Sequence, residues 1–278
     1  MPVLLAALSS VVYGTADFAG GLASRRNDGV VVTVTSQMFG CIVLALALLL
    51  WPDVTVTRPD LLWGALAGVG GGVGLMFFYP ALALGPMSVV APTTAVCSAT
   101  VPLVVGLVGG DRPSGLALCG VLLALPAIVL VARESGSHGR AAPRTVLMSV
   151  LAGGGFGLFF IGMGQASADA GMWPLAGARV ASIGLVGLLC VFTRRSLRLT
   201  PGTTPMVAFA GTLDLTANAL YLLAATRGLL SVVAVLGSLY PVSTVVLAVV
   251  FLKERLSVSQ LVGVALATVA VALFALGS

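Results

Sequence analysis

Residues 231–263 read SVVAVLGSLYPVSTVVLAVVFLKERLSVSQLVG: an apolar span carrying Pro241, the charged turn Lys253-Glu254-Arg255, and the start of another apolar span. The same layout stands 143 positions earlier, where residues 88–120 read SVVAPTTAVCSATVPLVVGLVGGDRPSGLALCG. Ser231-Val232-Val233-Ala234 falls on Ser88-Val89-Val90-Ala91, Glu254-Arg255 on Asp111-Arg112, Ser257 on Ser114 and Gly263 on Gly120. Working outward, Gly14 maps onto Gly157 and Ala23-Ser24 onto Ala166-Ser167 at the same shift, while Gly29 and Gln37 map onto Gly171 and Arg179 at 142. The whole chain is a duplication with one residue lost in the first turn.

The composition sets the solvent. Charged residues make up 8% of the chain, against about 25% in soluble domains, and mean hydropathy is +1.13. Neither half has enough polar side chains to cover a water-facing core, so a soluble fold is excluded and the lipid bilayer is the partner of most of the surface. The formal charge of +5 does not indicate nucleic acid, because the basic residues sit in short connections between apolar runs without interleaved aromatics. Cys41, Cys97, Cys119 and Cys190 are scattered singly in apolar spans and read as small buried hydrophobes, not as a disulfide or metal set. No metal or cofactor is expected.

About 20 apolar residues cross a hydrocarbon core, and ten such runs are expected, five in each half. The N-terminal run lacks a basic leader and carries Asp17, so it reads as a retained first span. The halves are expected at 1–132 and 145–278, joined by a polar linker at 133–144 that holds the single histidine, His138. Five is odd, so the second half must be inserted upside down relative to the first. This gives an all-α, multi-pass cell-membrane protein of ten transmembrane helices in two inverted five-helix repeats, the arrangement secondary transporters use to swap an outward-facing cavity for an inward-facing one.

Loop charge follows the inversion in three of the four paired turns; the third, with no basic residue in the first half and Arg227 in the second, runs the other way. One face collects Arg25, Arg26, Arg133, Arg140, Arg144, Arg194, Arg195, Arg198, Lys253 and Arg255, and the other only Arg58, Arg112 and Arg227. By the positive-inside rule both termini then lie outside the cytoplasm.

The paired turns Asp-Arg-Pro-Ser (111–114) and Glu-Arg-Leu-Ser (254–257), with Gln260 and Gly263 in the second copy and Tyr13-Gly14 in the first span, resemble the drug/metabolite transporter superfamily, specifically its ten-helix EamA-type members. The resemblance covers essentially the whole chain. It implies export of a small metabolite or drug by alternating access, with both termini in the cytoplasm, opposite to the loop count.

Three ionisable groups fall inside spans: Asp17, Arg179 and Asp214. Each costs about 2.5–3.5 kcal/mol at mid-helix on insertion scales, so each should face a partner or a wet cavity. Gln37 is the repeat equivalent of Arg179. In the eighth span Gly211, Asp214, Asn218, Tyr221 and Ala225 recur every three or four residues and share one face; in the first, Ser10, Tyr13, Asp17 and Gly21 do the same. The expected substrate and coupling residues are therefore Tyr13, Asp17, Gln37, Arg179, Asp214, Asn218 and Tyr221. Asp214, desolvated yet near an arginine, is the candidate for proton exchange. Phe77, Phe78, Tyr79, Phe156, Phe159 and Phe160 are candidates for apolar walls. Pro92, Pro102, Pro126 and Pro241 interrupt spans and free backbone carbonyls, and Pro92, Pro102 and Pro241 are the candidate hinges.

No GxxxxGK[ST] loop is present, and the one histidine in a linker argues against an enzyme. The alternative to a transporter is a lipid-handling flippase or a non-transporting membrane subunit, which a tight apolar groove open to lipid would favour over a polar cavity at Asp17 and Asp214.

Overall fold

The computed structural model describes residues 1–50, 54–84, 87–131, 142–252 and 257–277. The Gly85-Pro86 turn, residues 133–141 of the expected linker with His138, and the Lys253-Glu254-Arg255 turn lie outside the described residues. The first half comprises α1 (Pro2–Ser24), α2 (Gly29–Leu50), α3 (Arg58–Leu84), α4 (Met87–Val108) and α5 (Gly115–Val131). The second comprises α6 (Pro143–Gly164), α7 (Trp173–Phe192), α8 (Thr204–Ala225), the pair α9 (Leu230–Gly237) and α10 (Tyr240–Leu252), and α11 (Val258–Gly277). No strand occurs among the described residues. Among the described residues seven helices, α1, α2, α3, α6, α7, α8 and α11, are each long and apolar enough to cross a membrane.

The ends of the helices follow from local chemistry. Pro2, Pro143, Pro174 and Pro205 sit in the first turns of α1, α6, α7 and α8, where a missing N–H leaves no intrahelical bond unmade. At the start of α11 the Ser257 N–H donates to Gln260 Oε1 at 2.9 Å and the Gln260 N–H donates to Ser257 Oγ at 3.2 Å. This reciprocal pair is a capping box, which gives Gln260 a local structural task.

Packing follows a pseudo-twofold. α3 lies between α6 and α7, and its repeat equivalent α8 lies between α1 and α2. Small residues allow the close approach: a side chain on Gly68 would collide with the Ala178 carbonyl, and one on Gly211, its equivalent, would collide with the Ser36 carbonyl. Ser36 and Ala178 are themselves equivalent at the 142 shift, so the sequence register reappears atom against atom. α5 and α11 pair antiparallel, with Ser114 Oγ donating to the Gly277 carbonyl at 2.7 Å. Gly277 and Ser257 flank the 20-residue α11, a length of about 30 Å. Ser114 and its equivalent Ser257 therefore lie at opposite ends of the bundle, as inversion requires.

Contacts between the halves tie both ends. At one, the Ser167 N–H donates to Asp60 Oδ1 at 2.8 Å and the Thr55 N–H to the Asp169 carbonyl at 3.0 Å. At the other, Arg195 pairs with Asp28, and the Thr200 N–H donates to Asn27 Oδ1 at 2.7 Å.

The expected ninth span is not one helix. It breaks at Ser238 and Leu239 into α9 and α10, and Pro241 occupies the first turn of the second piece. Pro241 lacks an N–H and its ring crowds the carbonyl four residues back, which weakens the helix at this junction. α4, the equivalent in the first half, runs unbroken through Pro92 and Pro102, and α5 through Pro126. The prolines do not coincide in the two copies: Ser98 stands where the second half has Pro241.

Candidate functional site

Helices of both halves enclose a cavity of about 50 Å³ near the middle of the bundle. Tyr13 and Asp17 come from α1, Gln37 from α2, Gly68, Gly71 and Leu75 from α3, and Phe156, Phe159 and Phe160 from α6. The ring is completed by Leu175, Ala178, Arg179 and Ser182 of α7, Asp214 and Asn218 of α8, and Tyr240 of α10. Asp214 is the eleventh residue of the 22-residue α8, which sets the cavity at mid-helix depth. The volume suffices for a few water molecules and is far below the roughly 300–1,000 Å³ of drug-sized sites.

The polar side chains form a chain of hydrogen bonds. Arg179 Nη2 donates to Asp214 Oδ2 at 2.5 Å, Asn218 Nδ2 donates to the same oxygen at 3.1 Å, and the Tyr13 hydroxyl donates to Asn218 Oδ1 at 2.5 Å. Three helices are thus joined, α7 to α8 to α1. Beside them the Ser182 hydroxyl donates to Gln37 Oε1 at 2.5 Å, tying α7 to α2. Arg179 and Asp214 are a charge pair whose side chains are 8% and 14% exposed, so within this network the charges cancel.

Asp17 stands outside the network. It is buried and lines the cavity, and its carboxyl makes no hydrogen bond or ion pair with any described residue. The Tyr240 hydroxyl is buried without a hydrogen-bond partner among the described residues and belongs to the same cavity wall.

The duplication explains how the walls differ. At the 143 shift Tyr13 corresponds to Phe156, Asp17 to Phe160, Asp214 to Gly71 and Asn218 to Leu75. The polar copies fall on α1 and α8, which pack together, and the apolar copies fall on α3 and α6, which also pack together. One wall is therefore polar and charged, and the facing wall is aromatic and aliphatic.

Six of the seven expected residues, Tyr13, Asp17, Gln37, Arg179, Asp214 and Asn218, line this one cavity. Tyr221 does not. It is fully buried beneath Phe160, stacked at 4.3 Å between ring centroids, with its hydroxyl donating to the Phe160 carbonyl at 3.4 Å. Of the aromatic candidates Phe156, Phe159 and Phe160 form the wall; Phe78 packs edge-on against Phe156 and Tyr240 from outside the lining. Ser182 and Tyr240 are lining residues not foreseen. Ser182 lies three residues after Arg179, on its face of the helix, and Tyr240 is a phenol inside an apolar span; both signals were present in the sequence.

The profile of the EamA-like transporter family matches the chain over residues 1–133 and again over 143–276. Among solved structures, one titled only "Crystal structure of protein" is similar with a TM-score of 0.78 at 18% identity, covering 99% of this chain and 96% of that one; at that identity the likeness shows the fold. No curated protein matches the sequence. The chain belongs to the EamA-like transporter family, within the drug/metabolite transporter superfamily, and is a multi-pass membrane transporter of small solutes.

Proposed function

We propose that this protein is a secondary active transporter that exports a small metabolite or drug by alternating access, with proton coupling through the carboxylates of its cavity. One observation carries the reading: a polar cavity at mid-helix depth, built from both inverted halves and holding Asp17, Asp214 and Arg179. Inverted repeats exchange their packings to expose such a site to one side and then the other. A volume of about 50 Å³ holds waters but no metabolite, so loading requires helices of the two halves to part. The Asp214–Arg179 pair places a carboxylate and its counter-charge side by side in the cavity.

The flippase alternative is served by a different feature. An apolar groove between α1, α10 and α11, lined by Val11, Leu239, Val242, Val246 and Val271, opens on the outer surface and carries no ionisable group. The charged cavity favours solute transport. Reconstituted protein assayed for uptake of amino acids, nucleosides and cationic drugs, with and without a pH gradient, tests it. Gradient-driven flux of a soluble solute is expected; lipid scrambling without solute flux overturns it.

A further inference from the structure

The cavity holds three ionisable side chains but only one internal pair. Arg179 is taken by Asp214 at 2.5 Å, and Asp214 Oδ2 is further held by Asn218. Asp17 has no such partner, although it is only 9% exposed and lines the same space. A carboxylate in that position is stabilised by a cation brought to it, and an incoming anion would meet it without a free counter-charge. The Tyr240 hydroxyl, also unpartnered, offers an oxygen to an ammonium N–H. Opposite the polar wall stand Phe156, Phe159 and Leu75, a surface suited to a flat apolar group. A single unbalanced carboxylate matches a single positive charge.

Resting on the transporter reading of this cavity, we infer that its substrate is a monovalent organic ammonium with a flat apolar body, the ammonium set against Asp17 and Tyr240 and the ring against Phe156 and Phe159. Selectivity then has two independent parts. The carboxylate sets charge, and the aromatic wall sets shape.

Calorimetric titration of the purified full-length protein with benzylammonium, benzyl alcohol and benzoate near neutral pH separates them. Benzylammonium is expected to bind at least tenfold more tightly than the other two. Asp17→Asn should remove at least tenfold of that affinity, and Asp17→Glu should restore most of it. Because Asp17 has no partner to strand, Asp17→Asn should keep the wild-type melting temperature, which checks folding in the same sample. Tyr240→Phe should weaken benzylammonium several-fold yet leave benzyltrimethylammonium, which has no N–H to donate, unaffected. Benzoate or benzyl alcohol binding as well as benzylammonium, absence of benzylammonium binding, or an Asp17→Asn variant with unchanged affinity overturns the inference. Asp17-dependent ammonium binding without flux in vesicles would sustain the ligand class and defeat the transport reading. Flux of neutral or anionic solutes independent of Asp17 would do the reverse.

Discussion

The backbone N–H of Ser231 donates to Asp111 Oδ2 at 2.8 Å, so the turn that follows α4 in the first repeat caps the start of α9 in the second. Leu229, the residue at the N-cap of α9, supplies no side-chain acceptor of its own. Loss of a side-chain cap typically costs about 0.5–2 kcal/mol. Asp111→Ala should therefore lower the melting temperature of the purified protein by a few degrees, and Asp111→Asn should recover most of the loss. Ser231→Ala should be neutral, since the Ser231 hydroxyl is buried without a partner among the described residues and only the backbone is used. A melting curve unchanged by Asp111→Ala would mean that water replaces the carboxylate at no cost.

Gly211 and Gly184 make a paired test of helix approach. A side chain at Gly211 would meet the Ser36 carbonyl, whereas one at Gly184 in α7 has open space around it. Overpacking of this kind costs about 1–3 kcal/mol, while Ala in place of Gly in a helix interior gains about 0.5–1 kcal/mol. Gly211→Ala should destabilise and Gly184→Ala should not, as read by thermal unfolding in detergent. Gly68→Ala should match Gly211→Ala through its equivalent contact with Ala178.

Much of this site was legible because burying charge in a bilayer is expensive enough to leave few choices. Asp17, Arg179 and Asp214 had to face inward, and the helical period placed Tyr13 with Asp17 and Asn218 with Asp214. Tyr221 shares the same stripe and still points elsewhere, because a phenol can bury its ring and satisfy its hydroxyl on one carbonyl, here that of Phe160. Periodicity gives the face of a helix but not what covers it. The break at Ser238 and Leu239 was hidden for a related reason. Pro241 announces an interrupted helix, and only the packing of α9 and α10 against their neighbours decides between a kink and two separate pieces. The division of the cavity into a polar and an aromatic wall needed the knowledge that α1 meets α8 and α3 meets α6.

Loop charge predicts an orientation. The face carrying the α1–α2 and α7–α8 connections holds Arg25, Arg26, Arg194, Arg195 and Arg198, and the termini lie at the other end. The positive-inside rule then places the C-terminus outside the cytoplasm. A reporter active only in the cytoplasm, fused after Ser278, is expected to be inactive. Activity there would mean that the terminal placement implied by the family resemblance overrides the charge bias.

Pro241 is expected to set the mobility of the α9–α10 junction. Pro241→Ala supplies the missing N–H and removes the ring that excludes the Gly237 carbonyl, so the helix can close across Ser238 and Leu239. Transport rate should fall severalfold while ligand affinity is retained, measured as flux in vesicles against binding in detergent. An unchanged rate would make the junction a static feature of the fold.

Asp214 decides whether the intramembrane ion pair works in coupling or only in folding. Its Oδ2 accepts from Arg179 at 2.5 Å and from Asn218 at 3.1 Å, and Asn218 in turn accepts from Tyr13. Removing one partner of a buried pair costs about 3–5 kcal/mol, because the other charge is left without compensation. If the pair is only an anchor, Asp214→Asn should strand Arg179 and lower the yield of folded protein. The double change with Arg179→Gln should then restore both yield and transport. If Asp214 carries the coupling proton, the double change should restore yield alone: substrate exchange persists, but accumulation against a gradient is lost, since no carboxylate remains at that position to take up and release the proton. Folding yield, exchange and gradient-driven accumulation measured on the same three variants separate the two roles. Full accumulation by Asp214→Asn would exclude Asp214 from coupling and leave Asp17 as the remaining carboxylate in the cavity able to serve it.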